Sequence, residues 1–344
     1  MNDFASSAYR SPWWLPGGDL QTLYAPLIGR ARVGWTRRRW DTPDGDFIDV
    51  DDLPGRSDAP VVVLFHGLEG GSRSHYAGAL ARELAAIGWR CAVPHFRGCS
   101  GELNRLPRAY HSGDAEEISW ILRRFRSEAR NASLYAAGVS LGGNALLKWL
   151  GEDRGAKEII DSAAAVSAPV DLMAAGEALG RGFNLLYAQA FLRTMKQKSE
   201  KKLQRFPGLF DGEAMRRSRT LREFDDVVTA PLHGFRDTDD YWTRASSKPV
   251  LRRIEVRTLL INARNDPFLP EAALPGKDEV STQVWCEFPA EGGHAGFVSG
   301  PFPGRLRWLP RRLIRFFREA SGLEETASRE AANEIMADRS ATRR

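Results

Sequence analysis

The sequence predicts an α/β protein, with a mostly parallel central sheet, helices on both faces and a helical cap inserted late in the chain. Three observations carry that prediction. Residues 61–65 and 133–139 are apolar, strand-length runs, as expected of strands buried on both faces of a parallel sheet. Strand-like and helix-like segments alternate from residue 60 to 166 and resume near 256, the rhythm of strands joined by crossover helices. Residues 172–247 interrupt that rhythm with a helical composition, a charged stretch at 196–205 and several aromatics. A long insertion between two strands reads as a cap or lid over the C-terminal edge of the sheet.

In chain order, residues 1–33 form an N-terminal arm rich in Pro, Gly and Trp. The arm is expected to pack on the core, because exposing the pair Trp13-Trp14 would be costly. Residues 34–53 read as two strands turned at Pro43-Asp44-Gly45. A strand at 61–65 is followed by a helix at 75–87, with Tyr76, Leu80, Leu84 and Ile87 on one face and a stop at Gly88. Strands follow at 90–96, 133–139, 163–166, 256–263 and 283–288. Helices follow at 115–125, with Asp114 at its start, and at 144–150. The core thus comes in two pieces, 34–171 and 248–321, with the cap at 172–247 between them. Residues 322–344 are a polar tail, expected to be a frayed helix or disordered.

Composition narrows the class. The chain has 344 residues, 42% of them apolar and 27% charged, enough to bury a large core without staples. No apolar run approaches the roughly 18 residues of a membrane-spanning helix, which excludes an integral membrane protein of that kind. Cys91, Cys99 and Cys286 cannot all pair and show no metal-ligand spacing, which argues against a disulfide scaffold or a structural zinc site. The start Met1-Asn2-Asp3-Phe4 lacks a basic segment followed by an apolar one, so a cytoplasmic location is expected. Lys+Arg exceed Asp+Glu by 49 − 44 = 5, a mild excess that does not suggest a nucleic-acid partner. One dense basic stretch, Trp35-Thr36-Arg37-Arg38-Arg39-Trp40, reads as an edge strand with a solvated face or as a weak contact with an anionic membrane surface.

Gly138-Val139-Ser140-Leu141-Gly142 fits the G-x-S-x-G nucleophile elbow. About 0.2 such matches arise by chance in a chain of this composition, so context decides. The pentapeptide lies between a strand-like and a helix-like segment, where a sharp turn lifts the serine hydroxyl into a cleft and aims a helix N-terminus at it. The loop His66-Gly67-Leu68-Glu69-Gly70-Gly71 follows the first buried strand. Its Leu68 N–H and the Leu141 N–H are the expected oxyanion donors. His66 is better placed to order that loop than to act as a base.

A serine hydroxyl needs an imidazole to take its proton and a carboxylate to hold the imidazole. Of six histidines, His294 sits in a glycine-rich loop after the last strand and before the final helix, at the sheet edge where ligands gather. Asp266 follows the strand at 256–263, and Asp171, the rival, follows the strand before it. Asp266 is favoured because its loop lies beside that of His294. The chain order Ser140, Asp266, His294 is the order of one known family of serine hydrolases.

The chain resembles the α/β-hydrolase superfamily, and within it the YheT-like family of hydrolases and esterases. The residues that carry the resemblance are Leu15-Pro16-Gly17-Gly18-Asp19-Leu20-Gln21-Thr22, His66-Gly67-Leu68-Glu69-Gly70, His95-Phe96-Arg97-Gly98-Cys99-Ser100, the elbow, Ala230-Pro231-Leu232-His233-Gly234-Phe235, the acid loop 262–268 and Gly292-Gly293-His294. The likeness covers roughly residues 12–320. It implies the α/β-hydrolase fold and Ser140, Asp266 and His294 as the triad. Two departures stand out: Asn265, where many members carry a second acid, and Gly18-Asp19, where relatives often carry His at the second position.

The expected activity is hydrolysis of a small-molecule carboxylic ester through an acyl-enzyme, with no metal or organic cofactor. A short- or medium-chain acyl group is expected, because Phe183, Leu185, Leu186, Tyr187 and Phe191 of the cap could line a pocket. Acyl transfer by the same triad and ligand binding without turnover are the alternatives. Oligomeric state is not legible.

Overall fold

The computed structural model describes residues 9–29, 33–129 and 131–320. The tail expected at 322–344 and the start Met1 to Phe4 lie outside the described residues. Eight strands form one sheet: β1 (Thr36–Asp41), β2 (Phe47–Leu53), β3 (Val61–Phe65), β4 (Arg90–Pro94), β5 (Leu134–Val139), β6 (Ser162–Val166), β7 (Thr258–Ile261) and β8 (Val284–Glu287). Their order is β1-β2-β4-β3-β5-β6-β7-β8. β1 and β2 form an antiparallel hairpin, β2 runs antiparallel to β4, and every other pairing is parallel.

The helices are α1 (Gly18–Ile28), α2 (His75–Ala86), α3 (Ala115–Ala129), α4 (Leu141–Glu152), α5 (Ala156–Ile159), α6 (Leu172–Leu179), α7 (Leu185–Arg205), α8 (Gly212–Arg217), α9 (Leu221–Phe224), α10 (Ala230–Leu232), α11 (Thr238–Ala245) and α12 (Trp308–Ala320). The pleat sorts β3 between two cores. Val61, Val63 and Phe65 pack with residues of α3 and α4, whereas Val62 and Leu64 pack with residues of α2 and α12. Each such residue fully removed from water contributes about 1.5–3 kcal/mol.

Register places the chemistry. Phe65 is level with Gly138, Val139 with Val166, Val166 with Ile261, and Ile261 with Glu287. The loops after β3, β5, β6, β7 and β8 therefore leave the sheet along one edge. They carry His66, Ser140, Asp171, Asp266 and His294 respectively. α6 to α11 build the cap, whose own core includes Tyr187, Leu192, Met215 and Phe224 with Phe268 from the loop after β7.

The basic stretch is an edge strand with its charge largely matched. Arg37 and Arg39 face Asp51 and Asp49 in register, and Arg38 reaches Asp52, at 2.7, 2.7 and 2.5 Å. Behind the hairpin, Arg97 is buried and bridges Asp44 and Asp46 at 2.9 Å and Glu117 of α3 at 2.6 Å. The arm departs from expectation in one respect. Trp14 packs edge-to-face on Tyr24 and Phe302, but Trp13 is 91% exposed. Among the described residues no helix is long and apolar enough to cross a membrane.

Candidate active site

Ser140 sits between β5 and α4 with φ 55° and ψ −124°, a strained conformation costing of order 1–3 kcal/mol. The flanking glycines make the turn possible. A Cβ on Gly138 would lie 2.5 Å from the Gly142 carbonyl oxygen, and one on Gly142 would lie 2.5 Å from the oxygens of Phe65 and His66. The Ser140 N–H donates to Val166 O at 2.9 Å, which ties the elbow to β6.

The structure brings the three predicted side chains together. His294 Nε2 lies 2.8 Å from Ser140 Oγ, and His294 Nδ1 lies 3.0 and 3.1 Å from the two oxygens of Asp266. The Asp266 side chain is fully buried, and its Oδ1 also accepts the Phe268 N–H at 2.8 Å. A carboxylate at Nδ1 requires the proton there and leaves the Nε2 lone pair toward the serine hydroxyl. The Phe268 ring stacks on the imidazole, centroids 4.1 Å apart, and screens the pair from water.

The arm holds the histidine loop, a role that sequence reasoning missed. Thr22 Oγ1 accepts the His294 N–H at 2.8 Å, and Gln21 Oε1, completely buried, accepts the Val298 N–H at 3.0 Å. A Cβ on Gly293, at φ 61°, would lie 2.4 Å from Gly18 O, so α1 and the loop meet at backbone contact. Asn265 Oδ1 accepts the Gly293 N–H at 3.1 Å, giving that departure from the family pattern a structural place. The motif at 15–22 was visible in the sequence. Its partner, 272 residues away, was not.

The loop after β3 approaches the serine closely, since a Cβ on Gly67 would lie 3.1 Å from Ser140 Cβ. His66 orders this loop. Its Nδ1 donates to Gly67 O at 2.8 Å, and its Nε2 accepts the Phe96 N–H at 3.1 Å. Accepting at Nε2 requires the neutral ring, and complete burial pushes its pKa down to about 3. Tyr76 OH accepts the Gly67 N–H at 2.8 Å, and Tyr110 OH accepts the Glu69 N–H at 3.0 Å. Among the described residues, Leu68 N–H donates to no protein acceptor. Leu141 is the first residue of α4, so its N–H lacks an intrahelical partner. Asp171 instead caps α6, accepting the Ala174 N–H at 3.0 Å, and lines a different cleft.

Ser140, Leu68, Leu141 and Phe268 line a cleft between core and cap that encloses about 1210 Å³ of empty space, part of it open to solvent. Its walls are largely apolar, with Leu172, Leu179, Met195, Leu221 and Val228 from the cap side. A polar end carries the Lys198–Glu69 pair at 2.8 Å and Lys202, whose ammonium donates to Pro107 O and Arg108 O. Of the expected acyl-lining stripe, Phe191 alone borders the cleft and Tyr187 is buried against Phe268. Phe183, Leu185 and Leu186 point outward, 54%, 36% and 62% exposed. The helical period explains the split: Tyr187, Phe191 and Met195 recur every four residues on the inward face.

Comparison with known proteins agrees with this architecture. Residues 60–301 match the family model for the alpha/beta hydrolase fold. The chain is 38% identical over 320 residues to an Escherichia coli (strain K12) protein named "Putative esterase YheT", covering 91% of this chain and 94% of that one. It is 32% identical over 320 residues to Phospholipase ABHD3 of Mus musculus, covering 90% and 77%. Among solved structures, a membrane phospholipase A described as a bacterial virulence factor superposes with a TM-score of 0.54 at 19% identity, covering 87% and 92%. The chain belongs to the α/β-hydrolase fold family, in its YheT-like branch.

Proposed function

We propose that this protein is an esterase- or lipase-type hydrolase that cleaves carboxylic esters through an acyl-enzyme on Ser140. The observation that carries the reading is the continuous hydrogen-bonded line from Ser140 Oγ through His294 to Asp266. The names of the relatives, an esterase and a phospholipase, support ester chemistry.

Ser140 Oγ attacks the ester carbonyl carbon while His294 Nε2 takes the hydroxyl proton. The resulting imidazolium is stabilised by buried Asp266. The tetrahedral oxyanion is held by the N–H groups of Leu68 and Leu141, each worth roughly 3–4 kcal/mol. Collapse expels the alcohol, which receives the proton from His294, and leaves the acyl group on Ser140. A water, deprotonated by His294, attacks the acyl carbon. The second collapse releases the acid and returns the proton to Ser140. The apolar cap wall suits a short- or medium-chain acyl group.

Purified protein should hydrolyse p-nitrophenyl esters across a graded acyl series, and Ser140→Ala should lower kcat by about 10⁵-fold. Equal rates from the two proteins would refute the assignment. Thr22→Val should leave the His294 N–H unpaired and the loop free to shift, lowering kcat on the preferred ester by about tenfold. Steady-state kinetics with an unchanged rate would show that the arm does not position the imidazole.

A further inference from the structure

Exposed large apolar side chains among the described residues fall in three short segments and nowhere else. These are the arm (Trp13, Leu20, Leu23, Leu27), the start of the cap at 183–186, and the turn carrying Phe302. Side-chain contacts join them into one face. The Trp14 ring meets Phe302 edge-to-face at 5.4 Å, Tyr24 OH donates to Pro303 O at 3.1 Å, and Tyr187 OH of the cap donates to Asp19 of the arm at 2.9 Å.

Helix α1 is turned inside out relative to the usual surface helix. Its buried residues are Gln21 and Ala25, whereas Leu20, Leu23 and Leu27, spaced by three and four, are 50%, 47% and 61% exposed. A soluble-facing helix normally shows the opposite arrangement. The inward face is committed to the His294 loop through Gln21 and Thr22. Among the described residues the outward leucines stay about half exposed, and clustered exposure of this kind marks a contact surface.

Charge indicates which partner. Two of the segments carry an arginine without a carboxylate partner among the described residues, Arg10 before Trp13 and Arg305 after Phe302, whereas Arg181 before Phe183 pairs with Glu177 at 3.4 Å. Arg10 and Arg305 are exposed. A two-fold contact between copies would set these like charges against one another. Exposed tryptophan and leucines with exposed arginines close by in the chain suit an anionic lipid surface. The stretch at Arg37 to Arg39, whose sequence reads as an edge strand with a weak membrane contact as the alternative, is already matched by Asp51, Asp52 and Asp49.

We propose that the face formed by α1, the start of the cap and the Phe302 turn docks this protein on anionic lipid membranes. Docking does not depend on ester hydrolysis, although α1 also supports the His294 loop, so the docked protein would bring its proposed catalytic edge close to the lipid.

Sedimentation of the full chain with vesicles of phosphatidylcholine, with and without phosphatidylglycerol, tests the proposal. The wild type should pellet with the anionic vesicles, and Leu23→Glu/Leu27→Glu should reduce its partition by about tenfold or more. Arg10→Gln/Arg305→Gln should weaken binding to the anionic vesicles by about threefold or more, with the residual binding less salt-sensitive. An unchanged melting temperature shows that the leucine variant is folded. If it is not, Trp13→Ser makes the same test at a 91% exposed position. Ser140→Ala should bind as the wild type does, which separates docking from catalysis. Wild-type protein that stays in the supernatant overturns the proposal, as does a folded leucine variant that binds undiminished. So does a wild-type dimer that avoids vesicles and that the leucine substitutions convert to monomer.

Discussion

Asp266→Asn is expected to lower kcat by about 10⁴-fold with KM little changed, the scale on which other serine triads respond to the same substitution. The substitution is nearly isosteric, and an amide oxygen can still accept the Phe268 N–H that now reaches Oδ1 at 2.8 Å. What changes is the proton on the imidazole. The amide is neutral and can present its NH₂ to His294 Nδ1, which would place the ring proton on Nε2, facing the Ser140 hydroxyl. The imidazolium formed during attack would also lose its buried counter-charge. Asp266 does not line the cleft, so ground-state binding should hardly respond. Steady-state kinetics on one p-nitrophenyl ester measures both parameters. A loss below tenfold in kcat would mean that Asp266 does not hold the base.

The largest expected effect on stability lies away from the chemistry. Arg97→Met should destabilise the fold by about 3–5 kcal/mol, because it leaves buried carboxylates without their cation. Arg97 is the common partner of Asp44, Asp46 and Glu117, and the Asp46 and Glu117 side chains are 0% and 2% exposed. Burial has already pushed the Glu117 carboxyl up to about 7 despite the guanidinium beside it. Removing that guanidinium strands the hairpin turn and α3 on the two sides of an unpaired acidic cluster. Arg38→Met is the control. Its side chain is 41% exposed on the edge strand, and such a pair contributes about 0–1 kcal/mol. Urea unfolding of the two variants should separate them clearly, and equal midpoints would contradict the account of the Arg97 cluster.

Much of the fold could be read from the sequence because its signals are local. Buried parallel strands need unbroken apolar runs, and residues 61–65 and 134–139 are such runs. The turn at Ser140 needs small neighbours, and Gly138 and Gly142 supply them within a pentapeptide. Asp266 and His294 were legible as loop residues after strands, since topology alone brings those loops to one edge.

What escaped was set by contacts between distant parts of the chain. Nothing near Thr22 announces that its hydroxyl accepts the N–H of His294, and nothing near Gln21 announces its burial under Val298. The aromatic arm looked like a segment that must bury its tryptophans, yet Trp13 remains in solvent. In the cap, apolar composition at 183–191 suggested a lining, but the phase of α7 turns Phe191 inward and Leu185 and Leu186 outward, and Phe183, in the turn before α7, is exposed as well. Composition reveals that an apolar face exists, whereas its direction is decided by how the helix docks.

Labelling with a fluorophosphonate, followed by mass spectrometry of the peptides, tests most directly whether Ser140 is an activated nucleophile. The geometry predicts a single adduct on the peptide carrying Ser140, lost in Ser140→Ala and strongly slowed in His294→Ala. Protein that hydrolyses esters while Ser140 stays unmodified, or that carries the adduct on another residue, would contradict it.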